Sequence, residues 1–301
     1  MHAAKGGKPT MGGLGVLAAL VAGYPAAHVV LGQAPTARGL LVVGTVVGAA
    51  LGGIADDWVK VKNERNLGLR RRQKAVAVFG VAATFALVSV NLDGSCTALS
   101  FTRCDSLFLD AGPWLWVPFA VALMWVTSNS VNFTDGEDGL LAGSAALTFA
   151  ALGTMAFWQF RHPEIYSVPG ALDLAIIAAC LAAGCAGLLW WNAPPLSIFM
   201  GDTGSLAIGA GIAALVLSQN IPLLLPILGA LYVIEGASSP MQIYWFRWTG
   251  GRRLFRMAPI HFHFELLGWP ETTVLIRFWI FNAIATGVAV AIFYADALRS
   301  L

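Results

Sequence analysis

Long apolar stretches alternate with short polar ones along the whole chain. Nine apolar stretches stand out, at roughly 11–31, 38–55, 74–91, 114–131, 139–158, 171–190, 204–219, 221–245 and 274–294. At ~1.5 Å per residue, about 20 such residues cross a ~30 Å hydrocarbon layer. Backbone in lipid must satisfy its own hydrogen bonds, so these stretches predict helices. Their glycines and alanines suit close helix–helix contact. The pattern predicts an all-α, polytopic transmembrane helix bundle of about nine spans, one integral membrane domain over 1–301. The seventh and eighth stretches carry the weakest signal. Ile221-Pro222 to Pro226 reads as a turn plus a kinked helix start.

Composition agrees with that pattern, being 57% hydrophobic and 11% charged over 301 residues. A soluble domain carries about 25% charged residues. A net charge of +2 gives no reason to expect nucleic acid. The residues from His2 to Thr10 are polar and basic and lack the layout of a signal peptide. The polar loops differ in sign. One face receives Lys5, Lys8, Lys60, Lys62, Arg65, Arg70, Arg71, Arg72, Lys74, Arg247, Arg252, Arg253 and Arg256, and the other Arg38, Arg103, Arg161 and Arg299. The positive-inside rule makes the first face cytoplasmic. Cys180 and Cys185 lie in an apolar run and read as small core residues. Cys96 and Cys104 share a polar loop on the other face, where a disulfide and two free thiols are both open readings.

The polar oddities all fall on the basic face. Asn132-Phe133-Thr134-Asp135-Gly136-Glu137-Asp138-Gly139 sets three carboxylates within four residues, between two apolar stretches. Two carboxylates ~6 Å apart oppose each other by about 3 kcal/mol at an effective dielectric of ~20, so a cation or basic side chains must offset them. Asp56 and Asp57 close the second stretch, either as a helix stop or as a pair with separated roles, one anchoring charge and one acting as general base. Asp202, in Gly201-Asp202-Thr203-Gly204-Ser205, opens the seventh stretch, either as an N-cap or as a Mg²⁺ ligand beside a diphosphate. His261 and His263 lie in a basic loop. Their i, i+2 spacing is a weak zinc signal and suits phosphate oxygens better. No P-loop, GxSxG or HExxH occurs. These residues suit Mg²⁺-dependent transfer of a phosphorylated group onto a membrane-held acceptor.

Lys8-Pro9-Thr10-Met11-Gly12-Gly13, Asp56-Asp57, Asn132 to Leu140, Phe199 to Ser205 and Arg256-Met257-Ala258-Pro259-Ile260-His261 together resemble the polyprenyl-phosphate N-acetylhexosamine-1-phosphate transferases. The run through Phe264-Glu265-Leu266, Gly268-Trp269-Pro270-Glu271 and Arg277-Phe278-Trp279 resembles the branch whose donor is UDP-MurNAc-pentapeptide. The resemblance implies transfer of the phospho-sugar to undecaprenyl phosphate, with Mg²⁺, giving lipid I and UMP in a bacterial inner (plasma) membrane. It implies Asp202 as the metal ligand and Asp56 as the base, with Asp57 beside it. Lys74, Asn132 and Asp135 would hold phosphates or belong to the acidic cluster. Lys5, Asp138, Asn192 and Phe199 would line the nucleoside pocket, and His261 and His263 would meet the diphosphate. It suggests a homodimer, and a family pattern of ten spans of which the first is absent from this sequence.

Three positions depart from the family pattern. Phe262 replaces the middle of three histidines, Glu137 a leucine, and Lys8 a threonine. They keep open a divergent paralogue that uses another UDP-amino sugar or confers nucleoside-antibiotic tolerance, and an inactive membrane scaffold. A transporter fits poorly, because the acids sit at the membrane face and not at its midplane.

Overall fold

The computed structural model describes residues 9–63, 68–104 and 112–300. Every regular element among them is helical. They are α1 (Gly13–Leu31), α2 (Ala37–Lys62), α3 (Arg71–Ser89), α4 (Gly112–Thr134), α5 (Leu140–Arg161), α6 (Pro163–Tyr166), α7 (Ala171–Asn192), α8 (Gly201–Ser218), a 3₁₀ turn (Pro222–Leu224), α9 (Leu225–Leu228), α10 (Ala230–Trp248), α11 (Ile260–Leu266) and α12 (Glu271–Ser300). All nine apolar stretches are therefore helical. Seven of these helices (α1, α2, α4, α5, α7, α8 and α12) are each long and apolar enough to cross a membrane. α3 opens on Arg71, Arg72 and Lys74 and packs between α2 and α4.

The eighth stretch is broken in two. Pro222–Leu228 and Ala230–Trp248 meet at Gly229 with a bend of 83°. The bend falls at Gly229, whose φ of −107° and ψ of 31° leave the helical range, while Pro222 and Pro226 occupy the first positions of the 3₁₀ turn and of α9, where proline is tolerated. The second half of α10 leaves the bundle, so that Tyr244 is 70% and Trp248 82% exposed.

The seventh stretch, faint in the sequence, is the central post. Every residue of α8 from Thr203 to Ser218 is buried, against α2, α4 and α1. A helix apolar all round belongs in the middle of a bundle. Small residues let its neighbours close in. A Cβ at Gly209 would stand 2.6 Å from the Ser128 Cα on α4, and Gly211 fits between Val46, Leu181 and Phe149.

On the face with fewer basic residues, Cys96 and Cys104 are joined in a disulfide, which resolves the two readings of that loop. Thr102 donates to Asp296 on α12 at 2.7 Å, and the buried Arg38 donates to the carbonyls of Ser218 and Gly94. On the basic face, the start of α8 meets the ends of α2 and α4 and the beginning of α3.

Candidate active site

The second helix does not stop at its aspartates. α2 continues to Lys62, so Asp56 and Asp57 lie inside it and Lys60 follows one turn beyond Asp56. The i, i+4 spacing brings the two side chains together. Lys60 Nζ lies 2.6 Å from Asp56 Oδ2, 3.3 Å from Asp57 Oδ1 and 2.8 Å from Asp202 Oδ2. Lys60 was not singled out in the sequence, yet it is the hub of the cluster. The signal was present in its spacing from Asp56.

α2 reaches α8 because Gly53 has no side chain there: a Cβ would collide with the backbone of Asp202 and Thr203. The contact divides the aspartates by role. Asp57 takes the capping role that the sequence offered to Asp202. It accepts from the backbone N–H of Asp202 at 3.1 Å, and from the N–H and hydroxyl of Thr203 at 2.9 and 2.7 Å. A carboxylate there satisfies orphan donors and meets the positive end of the helix. Asp202, in the first turn of α8, is free to face the cations. It receives Lys74 Nζ at 2.7 Å as well as Lys60, and its other oxygen accepts from Asn132 Nδ2 at 2.7 Å. Asn132, at the end of α4, also donates to Ser205 Oγ at 2.7 Å. Asp56 Oδ1 accepts the backbone N–H of Leu69 at 2.7 Å.

Oxygens of Asp56, Asp57 and Asp202 all lie within 4.8 Å of one another. Two lysines against three aspartates leave one negative charge uncompensated. The set is entirely oxygen donors, as Mg²⁺ prefers, and Asp202 is already oriented by Asn132. The residues present therefore fit a hard divalent cation.

The turn after α4 forms the next wall. Asp135 is partly covered there, and burial first, then the charges of Asp202 and Asp57, push its carboxyl well above the usual carboxylate range. Glu137 and Asp138 are both buried. Gly139 has φ +81°, a left-handed conformation that glycine adopts without strain. Its N–H donates to Asn192 Oδ1 at 3.1 Å, and Asn192 Nδ2 donates to the Ile198 carbonyl at 3.0 Å. Asn192 thus spends its amide stitching this turn to the 193–200 loop. Phe199 is partly buried, and its backbone clamps the incoming chain: its N–H donates to Pro9 O at 3.0 Å and its carbonyl accepts from Gly12 at 2.8 Å. Lys5, assigned to the same pocket from the sequence, lies outside the described residues, as does Lys8.

The two histidines part company. α11 is helical, and i, i+2 residues of a helix do not share a face, so they do not form a metal pair. His261 is fully buried and pairs through Nδ1 with the fully buried Glu235 of α10 at 2.9 Å. Gly136 lies against its ring: a Cβ there would sit 2.5 Å from His261 Nε2. Phe262 packs its ring 4.1 Å from His261. His263 turns the other way, accepting the Arg256 backbone N–H at its Nδ1 at 3.1 Å. Of the pair, His261 touches the acidic turn and His263 braces the loop before α11. Glu235 was also missed in the sequence, although one acid within an apolar stretch signals a specific partner.

Residues 39–220 match the profile of glycosyl transferase family 4. The phospho-N-acetylmuramoyl-pentapeptide-transferase of Mycolicibacterium vanbaalenii is 45% identical over 317 residues, covering 100% of this chain and 88% of that protein. Its counterpart in Mycolicibacterium smegmatis is 46% identical over 319 residues with the same coverage. That of Saccharopolyspora erythraea is 46% identical over 313 residues, covering 99% of this chain and 86% of its own length.

Proposed function

We propose, from the premise that this chain belongs to glycosyl transferase family 4 and within it to the phospho-N-acetylmuramoyl-pentapeptide transferases, that it makes lipid I. It transfers phospho-MurNAc-pentapeptide from UDP-MurNAc-pentapeptide to undecaprenyl phosphate and releases UMP. The observation that carries the reading is the convergence of Asp56, Asp57, Asp202, Lys60, Lys74 and Asn132 from four helices at one point of the basic face. That point suits two substrates that both carry phosphate. A scaffold has no need of such a cluster.

In the transfer, an oxygen of the lipid phosphate attacks the sugar-bearing phosphorus of the donor. A new P–O bond forms as the bond to UMP breaks. Asp56 is the group we assign to take the proton of the lipid phosphate, since the Leu69 N–H and Lys60 fix its orientation. Asp57 holds the start of α8 and thereby places Asp202. Asp202 would hold Mg²⁺, which when bound would offset the charge on the diphosphate. Lys74 and Lys60 supply further positive charge as point contacts to phosphate oxygens. Asn132 orients Asp202, and Asp135 and His261 border the diphosphate region. Asp138, Phe199 and Lys5 belong to the uridine end, with Asn192 shaping its floor. His263 acts on the diphosphate only through the loop it braces.

Multi-pass membrane insertion follows from the apolar helices. We further place the chain in the bacterial plasma membrane with the basic face cytoplasmic, as charge asymmetry favours, and as a homodimer. The test is UMP release from UDP-MurNAc-pentapeptide by the purified chain with undecaprenyl phosphate and Mg²⁺, beside Asp202→Ala. Metal-dependent release that vanishes in the variant is expected. Turnover that survives Asp202→Ala, or a preference for UDP-GlcNAc as donor, overturns the reading.

A further inference from the structure

Between Glu235 and Glu265 the chain contains no acidic residue and four arginines, Arg247, Arg252, Arg253 and Arg256. None of the four forms an ion pair with a described carboxylate. Three of them, Arg247, Arg253 and Arg256, line one open cavity of about 470 Å³ between the outer half of α10 and the loop that returns from it. Gln242, Ile243 and Phe246 of α10 form its other wall.

The cavity is built into the fold. Gly250 and Gly251, at φ +67° and +113°, reverse the chain after α10. Gln242 then clamps the returning strand of loop. Its Oε1 accepts from the N–H of Leu254 and Phe255 at 3.0 and 2.8 Å, and its Nε2 donates to the Phe255 carbonyl at 3.1 Å. Arg253 donates to the carbonyl of Arg256 at 3.2 Å. The guanidiniums are thus gathered by backbone and amide contacts, with most of their donors unspent.

We propose that this cavity binds the headgroup of an anionic diacyl phospholipid. Guanidinium clusters recognise phosphate through charge-assisted bonds, and no carboxylate lines the cavity to oppose an anion. The apolar side of the same cavity continues onto Ile243 and Phe246, which are exposed together with Tyr244, Trp245 and Trp248. Tryptophan and tyrosine on a helix end that leaves the bundle mark the depth of lipid headgroups. A diacyl lipid would therefore lay its phosphate among the arginines and its chains along α10.

The site also touches α11. Arg256 gives its backbone N–H to His263 and a guanidinium N–H to the Leu266 carbonyl. A phosphate held by Arg256 would steady α11, and α11 carries His261 to the acidic turn.

The experiment uses the full chain reconstituted in phosphatidylcholine bilayers with increasing phosphatidylglycerol. Lipids retained on the protein are counted by native mass spectrometry, and UMP release is followed in parallel. The expected result is preferential retention of phosphatidylglycerol over phosphatidylcholine. Arg247→Gln with Arg253→Gln should lower that preference about 25-fold, at roughly fivefold per basic residue near an anionic surface. Arg247→Lys with Arg253→Lys should keep most of it. Melting in phosphatidylcholine alone should match the parent chain and shows that the glutamine variant is folded. Undiminished phosphatidylglycerol retention in the glutamine variant overturns the proposal. So does displacement of the lipid by inorganic phosphate at equal concentration, which would make this a general anion site. A change confined to the KM for undecaprenyl phosphate overturns it too, by assigning the arginines to the acceptor.

Discussion

Lys60→Met removes the one ammonium that touches all three aspartates of the cluster while keeping an unbranched apolar stem in place. The three contacts are 2.6, 3.3 and 2.8 Å. At an effective dielectric of ~20, each attraction is about 5–6 kcal/mol before any solvation is counted. Most of that is cancelled by desolvation of the lysine. Breaking a buried pair by removing one partner leaves a net loss of about 3–5 kcal/mol. Lys60 is 30% exposed, and Lys74 still holds Asp202 at 2.7 Å, so the expected loss falls to about 2–3 kcal/mol. The loss should show as a lower melting temperature of the purified chain in EDTA. Divalent cation should then do more for the variant than for the parent, because the ammonium no longer competes for the same oxygens. A melting series over Mg²⁺ concentration, with Lys60→Arg as the charge-keeping control, reads both effects. Equal melting of variant and parent in EDTA, with equal gains from Mg²⁺, would refute the view that Lys60 is the counter-charge of this site.

The remaining predictions concern positioning. Glu235→Ala leaves His261 buried without its Nδ1 partner and should cut kcat by about 10- to 100-fold, since an unmet buried polar group costs about 1–3 kcal/mol; Glu235→Gln should recover most of that if orientation is what Glu235 provides, and a kcat as low as that of the alanine variant would show that its charge is required. Gly53→Ala inserts a methyl against the Asp202 backbone, so UMP release should fall more than tenfold while the chain still inserts and purifies; parental activity would refute the close contact of α2 with α8. Cys96→Ser with Cys104→Ser opens a nine-residue loop and should lower stability by at most about 2.5 kcal/mol, with turnover nearly unchanged because the loop lies on the face away from the aspartates; loss of turnover at a temperature where the variant remains folded would link the two faces.

The run of apolar stretches already determined the fold class, where the long helices run and the face on which the charges gather, although only seven of those helices are each long and apolar enough to span. Hydrophobicity reports, segment by segment, which solvent a stretch prefers, and that is a local property. The acids were legible for the same reason: Asp56, Asp57, Asp135, Asp138 and Asp202 stand out wherever they fall between apolar runs. Which partner each acid takes is not local. Asp57 caps a helix that begins 144 residues later in the chain, so no spacing rule could reveal it. Lys60 looked like an ordinary basic residue at a helix end until α8 brought Asp202 beside it. Asn192 carried a polar group whose use depended on where Gly139 turned. His261 and His263 looked like a pair, and only their helix separated them. The faint seventh stretch became the buried centre because burial of a small-residue helix is decided by how closely its neighbours approach. The sequence by itself determined what each segment could be and which chemistry was available; the packing of α2, α4, α8 and α11 decided which charges meet, because an ion pair is set by distance in space and not by distance along the chain.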